Sequence, residues 1–285
     1  MPLDYDHLMA SAVNDLPLIY RDTETMLYAQ SIGFGWNPVD RKELPFVYEQ
    51  AQGLRSVPTM ASVLVPEMFP PDLGWDFDQV LHAEQRLQLH RALPVSAELL
   101  VNKRVVEAFD RGPRRGAMLL FEAEGRMASD DTAVFTMGTT VIARGDGGFG
   151  GKPGGGPPPH RAPRRDPDLS CESRTRVDQA LLFRLNGDRN PLHADPDVAS
   201  RAGFDVPILH GLCTYGIACR AIMKTICDYD DTLIREFDAR FSAPVMPGDT
   251  IRTDMWQDGN IVSFRCTAVE RDLLVLRNGK CTLAT

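Results

Sequence analysis

The chain has 285 residues, 43% of them hydrophobic and 25% charged, with a formal net charge of −8. That length supports one large domain or two small ones with a sizeable core. The charge argues against a nucleic-acid surface, which needs a concentrated basic stripe, whereas the 31 Lys and Arg here are scattered among 39 Asp and Glu.

From the N-terminus, residues 23–34 carry a helical pattern that gives way to a Trp36-Asn37-Pro38 turn. A long middle containing Val57-Pro58-Thr59-Met60 follows, then Leu93-Pro94 and two or three strand-like runs, at 99–108, 117–127 and 132–143. His82 and Gln85, in Leu81-His82-Ala83-Glu84-Gln85-Arg86-Leu87, are candidates to line a pocket, with a polar strand edge as the alternative. Trp36, Trp75 and Trp256 read as core or pocket wall, since no stacking spacing links them.

Residues 144–168 change character: Gly-Asp-Gly-Gly-Phe-Gly-Gly-Lys-Pro-Gly-Gly-Gly-Pro-Pro-Pro leads to Arg164-Arg165-Asp166-Pro167. Nothing there can form a ladder or a packed face, so the stretch is expected to be a flexible linker. Its glycines lack the Gly-Lys-Ser/Thr ending and the strand-to-helix setting of a phosphate loop. Beyond it the same signals return in order: a helical run at 178–185, Asn190-Pro191, Val206-Pro207, Met246-Pro247-Gly248-Asp249, and strands at 250–256, 261–269 and 273–283. The expected organisation is a duplicated unit, 1–143 and 169–285, joined by 144–168.

In each half one apolar helix should be wrapped by an antiparallel sheet. In the second half that helix is 211–227, apolar around most of its circumference and therefore buried. Its small residues Gly216, Ala218 and Cys219 would let the curved sheet approach its backbone.

The stretch with chemical content is Phe183-Arg184-Leu185-Asn186-Gly187-Asp188-Arg189-Asn190-Pro191-Leu192-His193. Proline disfavours the helical region for Asn190, and Gly187 can take backbone angles closed to other residues, so Asp188 and His193 should share a tight loop. A carboxylate and an imidazole converging on one point is what acid–base chemistry on a small molecule requires. Asp195, Pro196 and Gly203 are placed as N-cap, first helical residue and C-terminal stop of a short helix that holds the loop's end. Phe204-Asp205-Val206-Pro207-Ile208-Leu209-His210-Gly211 then leads into the buried helix, whose first N–H groups lack internal partners and can receive a developing negative charge. His210 reads as a capping or packing residue there, with a weak claim to substrate binding. Asp249 reads as a turn residue.

This run, followed by Ala199, by Pro207-Ile208-Leu209-His210-Gly211 and by Pro247-Gly248-Asp249, resembles the (R)-specific enoyl-CoA hydratases, or hydratase 2, of the MaoC-like dehydratase family. The resemblance covers the second half closely and the first in outline. It implies an α+β double hot dog, two repeats each with a curved antiparallel sheet wrapped around a central helix. It also implies reversible hydration of a trans-2-enoyl-CoA to a (3R)-3-hydroxyacyl-CoA by a hydro-lyase. Asp188 and His193 would be the catalytic pair, Asn190 an orienting or water-binding residue, and the Gly211 N–H the oxyanion donor. No metal and no cofactor are needed, since coenzyme A is part of the substrate, and a homodimer is the implied assembly. Aligning Asn37-Pro38 with Asn190-Pro191 sets Gly35 opposite Asp188 and Asp40 opposite His193, so the first repeat should be non-catalytic. Two other readings share the fold: an acyl-thioester binding protein or inactive subunit, and a dehydratase acting on an acyl carrier protein thioester.

The six cysteines, Cys171, Cys213, Cys219, Cys227, Cys266 and Cys281, contain no C-x-x-C pair and read as buried hydrophobes of a reducing compartment. The first residues lack a leader-like basic and apolar pattern, no stretch is apolar over a membrane span, and the last five carry no peroxisomal tripeptide. A cytoplasmic location, with no membrane or nucleic-acid partner, is the expectation.

Overall fold

The computed structural model describes residues 3–51, 53–65 and 79–285, so Trp75 lies outside the described residues. In the first half α1 (Tyr5–Ala10), β1 (Ala12–Tyr20) and α2 (Asp22–Ser31) precede the short α3 (Leu44–Val47) and α4 (Ala61–Leu64). β2 (Val80–Leu89), β3 (Ala97–Asp110), β4 (Ala117–Met127) and β5 (Ala133–Ala143) complete it, and β6 (Lys152–Pro153) lies in the connection. The second half holds β7 (Leu169–Arg174), α5 (Gln179–Phe183), α6 (Pro196–Arg201), α7 (Gly211–Thr225), β8 (Ile234–Phe241), β9 (Thr250–Asp258), β10 (Ile261–Ala268) and β11 (Leu273–Leu283).

The strands form one sheet in the order β1-β3-β4-β5-β2-β8-β11-β10-β9-β7. Read inward from either edge, each half has the same order, so the repeat seen in the sequence is also a repeat of topology. β2 and β8 join the halves in antiparallel register, with Glu84 beside Arg240 and their side chains paired at 3.0 Å. The polar run at 81–87 is therefore a strand in the middle of the sheet and not an edge, since β5 pairs along its other side.

α7 is buried as expected: ten of its fifteen residues, from Cys213 to Met223, are inaccessible. Aromatic side chains of the sheet lie beneath it, with Phe237 at 5.0 Å from Tyr215 and stacked on Phe264 at 4.8 Å. At Gly216 the close neighbour is not the sheet. A Cβ on Gly216 would fall 2.7 Å from Ile32 Cγ2 and 2.8 Å from the Tyr28 hydroxyl, so α2 and the residue after it cross α7 at the glycine. In the first half the described residues place only a 3₁₀ turn, Pro58–Met60, and α4 before β2, where the second half has its long helix.

A buried ion pair fastens the halves. Glu43, 1% exposed, accepts from Arg220 of α7 at 2.5 and 3.1 Å, from the Tyr229 hydroxyl at 3.0 Å and from the Gly35 N–H at 2.8 Å. All four donors converge on one carboxylate, which is how a buried charge is tolerated.

The connection at 144–168 is anchored. Asp110 accepts from the Gly148 and Gly150 N–H groups at 2.9 and 2.8 Å, and Lys152–Pro153 pairs in parallel with Phe109 and Asp110 of β3. Further on, the His160 ring meets Ser263 at 2.8 Å and Trp256 Nε1 donates to the Arg165 oxygen at 2.8 Å. The expectation that nothing here joins a ladder is corrected: positive φ at Gly148 and Gly150 lets the chain curl around one carboxylate, and the short ladder follows. Trp256 is core, whereas Trp36 is 38% exposed and lines an open cleft beside Ile217 and Arg220.

Five cysteines are buried, Cys171 is half-buried, and all six are free. Burial pushes the thiols of Cys219, Cys227 and Cys266 up to about 12, which makes them inert packing groups. No helix among the described residues is long and apolar enough to cross a membrane.

Candidate active site

The loop bearing Asp188 begins where α5 ends. The turn Arg184–Asn186 closes on Gly187, whose φ of +121° favours glycine. Asn186 Nδ2 donates to the Phe183 oxygen at 2.8 Å and to Ser31 Oγ at 3.0 Å, while Gln179 Nε2 donates to the Ser31 oxygen at 2.6 Å. The end of α2, in the first half, thus braces the loop.

Asp188 Oδ1 accepts from the Asn190 N–H at 3.1 Å, so the carboxylate does cap its turn, and its other oxygen is left out of that bond. Asn190 is extended before Pro191 (φ −52°, ψ 123°), and its side-chain oxygen accepts from the Leu192 N–H at 3.0 Å. That oxygen builds the turn, leaving the amide NH₂ as the group of Asn190 with reach toward a ligand. His193 ends the 3₁₀ turn and is 9% exposed. Its Nδ1 lies 2.9 Å from the Ile208 backbone oxygen. A carbonyl only accepts, so Nδ1 carries the proton and Nε2 is a bare acceptor. Burial lowers the His193 pKa, against the Ile208 oxygen and the Asp188 charge, which raise it.

The first-half turn copies this construction with Gly35 and Asp40 in the places of Asp188 and His193. Asn37 Oδ1 accepts from the Val39 N–H at 3.3 Å as Asn190 does from Leu192, and Asp40 N donates to the Asn37 oxygen at 3.1 Å as His193 N does to Asn190 at 3.2 Å. Gly35 stands at the Asp188 position and gives its N–H to Glu43.

α6 begins as expected on Asp195, whose carboxylate accepts from the Asp197 and Val198 N–H groups at 2.8 and 3.4 Å. The chain then returns to α7, where the internal bonds start with Cys213 N and Thr214 N on the His210 oxygen, one turn above the Gly211 and Leu212 amides. Glycine at 211 has a packing reason: a Cβ there would sit 3.0 Å from the Phe241 ring.

His210 is 1% exposed, and its ring stacks on His193 at 3.7 Å. One polar atom from each of Asp188, His193 and His210 lies within 4.8 Å of the others. The loop and the start of α7 are therefore one site. Burial first, then the charge of His193, pushes the His210 pKa down to about 4.

The first half contributes His82. Its ring contacts Phe241 at 4.6 Å, its Nε2 is buried without a partner among the described residues, and burial pushes its pKa down to about 4 although the Asp188 charge raises it. Gln85 is not available to a ligand: it is 1% exposed, with Oε1 on the Thr139 hydroxyl at 3.0 Å and Nε2 on the Arg86 oxygen at 3.2 Å. Asp249 is a turn residue, accepting from Met246 N at 2.8 Å and from Arg271 at 2.5 Å. Ile208 and Phe241 were not expected at the site. Ile208 acts through a backbone atom, and Phe241 reaches the site from a strand with no motif around it.

The MaoC-like domain model matches residues 159–278, and the MFE-2 hydratase 2 N-terminal domain model matches residues 19–145. An enoyl-CoA hydratase of Mycobacterium tuberculosis, ChsH3, is 34% identical over 98% of both chains, and the peroxisomal enoyl-CoA hydratase 2 of Arabidopsis thaliana is 36% identical over 95% of this chain and 93% of its own. The solved MaoC-like dehydratase of Phytophthora capsici superimposes with a TM-score of 0.87 at 28% identity, covering 99% of this chain and 98% of that one. The full-length peroxisomal multifunctional enzyme type 2 of Drosophila melanogaster superimposes with a TM-score of 0.81 at 34% identity; this chain, 96% covered, spans 48% of it. The fold is the double hot dog, and the chain belongs to the MaoC-like dehydratase family, with the hydratase 2 enzymes among its relatives.

Proposed function

We propose that the protein reversibly hydrates trans-2-enoyl-CoA thioesters to (3R)-3-hydroxyacyl-CoA. The observation that carries this reading is the convergence of Asp188 and His193 beside the first amides of α7. A water held between two acceptors, the Asp188 carboxylate and the bare His193 Nε2, can donate one proton to each. As its oxygen bonds to C3, the pair takes one proton from the water and delivers one to C2, so no net proton is gained or lost. The charge that develops on the thioester oxygen falls at the Gly211 N–H. Acid–base transfer of this kind contributes about 10²–10⁴ in rate, and an oxyanion donor about 10²–10³. The Asn190 NH₂ helps orient the water. No metal or cofactor enters the scheme, and coenzyme A arrives as part of the substrate.

In this reading residues 169–285 are the catalytic repeat, 1–143 the non-catalytic one that lends its sheet and the His82 edge of the pocket, and 144–168 the connection. The net charge of −8 disfavours docking to an acidic carrier protein. The enzyme works as a homodimer in the reducing cytoplasm, where its free cysteines persist; light scattering on the purified protein tests the dimer. The activity test is loss of enoyl-thioester absorbance on a panel of trans-2-enoyl-CoAs of rising size, with the product's configuration read by (R)- and (S)-specific dehydrogenases. (3R) product is expected. No hydration of any chain length, or (3S) product, rejects the proposal.

A further inference from the structure

Three parts of the site meet in His210. Its ring lies against His193, 3.7 Å between centroids and 25° from parallel, and contacts Phe183 at 5.0 Å. Its Nε2 is 3.3 Å from the Asp188 backbone oxygen. Because that oxygen only accepts, Nε2 carries the proton and Nδ1 is bare. Nδ1 is buried and has no partner among the described residues. The residue is the N-cap of α7, yet its side chain makes no capping bond. Helix caps favour Ser, Thr, Asp or Asn, and an unsatisfied buried nitrogen is a cost that packing alone would avoid with a phenylalanine. Local rules broken at one point, by a residue touching both members of a reactive pair, mark a position shaped by function.

We propose that His210 is a positioning residue for the reaction. It ties the Asp188 backbone and the His193 ring to the start of α7, so that the acid–base pair and the Gly211 N–H keep one spacing. The proposal rests on the reading that Asp188 and His193 carry the chemistry. It also gives His210 a second effect, as the wall that keeps water from one face of His193. The titratable and charged groups around His193 are Asp188 on its own loop, His210 on α7, Arg184 on the preceding turn, whose charge acts on His210, and His82 on β2, which like His193 feels Asp188. Burial is what holds the His193 pKa down, so opening that wall raises it. The active form has a bare Nε2, and a higher pKa therefore moves the acid limb of kcat/KM to higher pH.

Two substitutions separate the effects in the full chain, assayed on a short trans-2-enoyl-CoA. His210→Phe keeps the wall and removes the N–H: kcat should fall by roughly 10–10², KM should change little, and the acid limb should stay in place. His210→Gln offers a donor but opens the wall, and its acid limb should move to higher pH. Circular dichroism and melting establish that each variant is folded, and each decides its own half of the proposal. A folded His210→Phe with wild-type kcat, or a folded His210→Gln with an unmoved acid limb, overturns it. His193→Gln, run alongside, must lose turnover; full activity there would instead reject the assignment of the catalytic pair.

Discussion

Arg220 on α7 and Glu43 in the first half form a two-pronged pair, at 2.5 and 3.1 Å, with the carboxylate 1% exposed. Removing the arginine strands a charge that, among the described residues, Tyr229 and the Gly35 N–H still meet. Arg220→Ala should cost about 3–5 kcal/mol, read as a lower midpoint in urea unfolding. The double change Arg220→Met and Glu43→Gln should recover most of that loss. An Arg220→Ala midpoint equal to wild type would show that the pair contributes nothing.

Asp188→Asn retains an oxygen for the Asn190 N–H, so its turn should persist while its proton chemistry is lost. His193→Gln leaves the buried site filled in the same way. Each should lower kcat by about 10²–10⁴ with melting temperatures near wild type. Unchanged turnover in both variants would remove the pair from the mechanism.

Asp238 on β8 has its pKa raised to about 6, chiefly by burial, with the Leu87 backbone bond and Lys280 pulling the other way. The native state therefore holds its proton more tightly than the unfolded chain. The resulting stability is complete below the ordinary value of 3.8 and is lost as pH rises to about 6. Asp238→Asn keeps the neutral state at every pH. It should stabilise the protein by roughly 1–3 kcal/mol at pH 7.5 and by almost nothing at pH 4, as denaturant midpoints will show. Equal gains at the two pH values would assign the effect to packing.

Asp188, His193 and His210 offer the donor types that a divalent cation also takes. The water mechanism needs none. Prolonged dialysis against EDTA should leave hydration rates unchanged, and a loss restored by zinc or iron would call for a different mechanism.

Much of the frame could be read from the amino acids. β4 and β11 have the expected limits, α7 starts at the expected glycine, and the Gly187, Asn190-Pro191 and Asp195-Pro196 features built the predicted loop and helix start. β2 was read only as a possible polar strand edge, and β8 escaped strand detection because charged residues interrupt its alternation, as in Ile234-Arg235-Glu236-Phe237-Asp238. In the folded chain charges of these strands find partners on their neighbours, Arg240 with Glu84 across the β2–β8 seam and Glu236 with Lys280 of β11 at 2.7 Å, which sequence spacing cannot reveal. At the candidate site, a motif pointed to Asp188 and His193, which the fold brings together with His210. The Ile208 oxygen that fixes the His193 tautomer and the Phe241 ring filling the Gly211 hollow belong to backbone and tertiary packing. The Thr139 partner of Gln85 lies on another strand, so its bond could not be read from spacing either.

The mirrored strand order has one more consequence. Two identical subunits joined edge to edge across such a seam would be bound by symmetry, because any substitution in one active loop would appear in the other. Joining them in a single gene removes that bond. One loop could lose its carboxylate and imidazole, leaving Gly35 and Asp40, and turn its donor toward Glu43, while the other kept Asp188 and His193. The asymmetry would then fall on a half whose strands still continue the sheet beside β8, with Glu84 paired to Arg240 across the join.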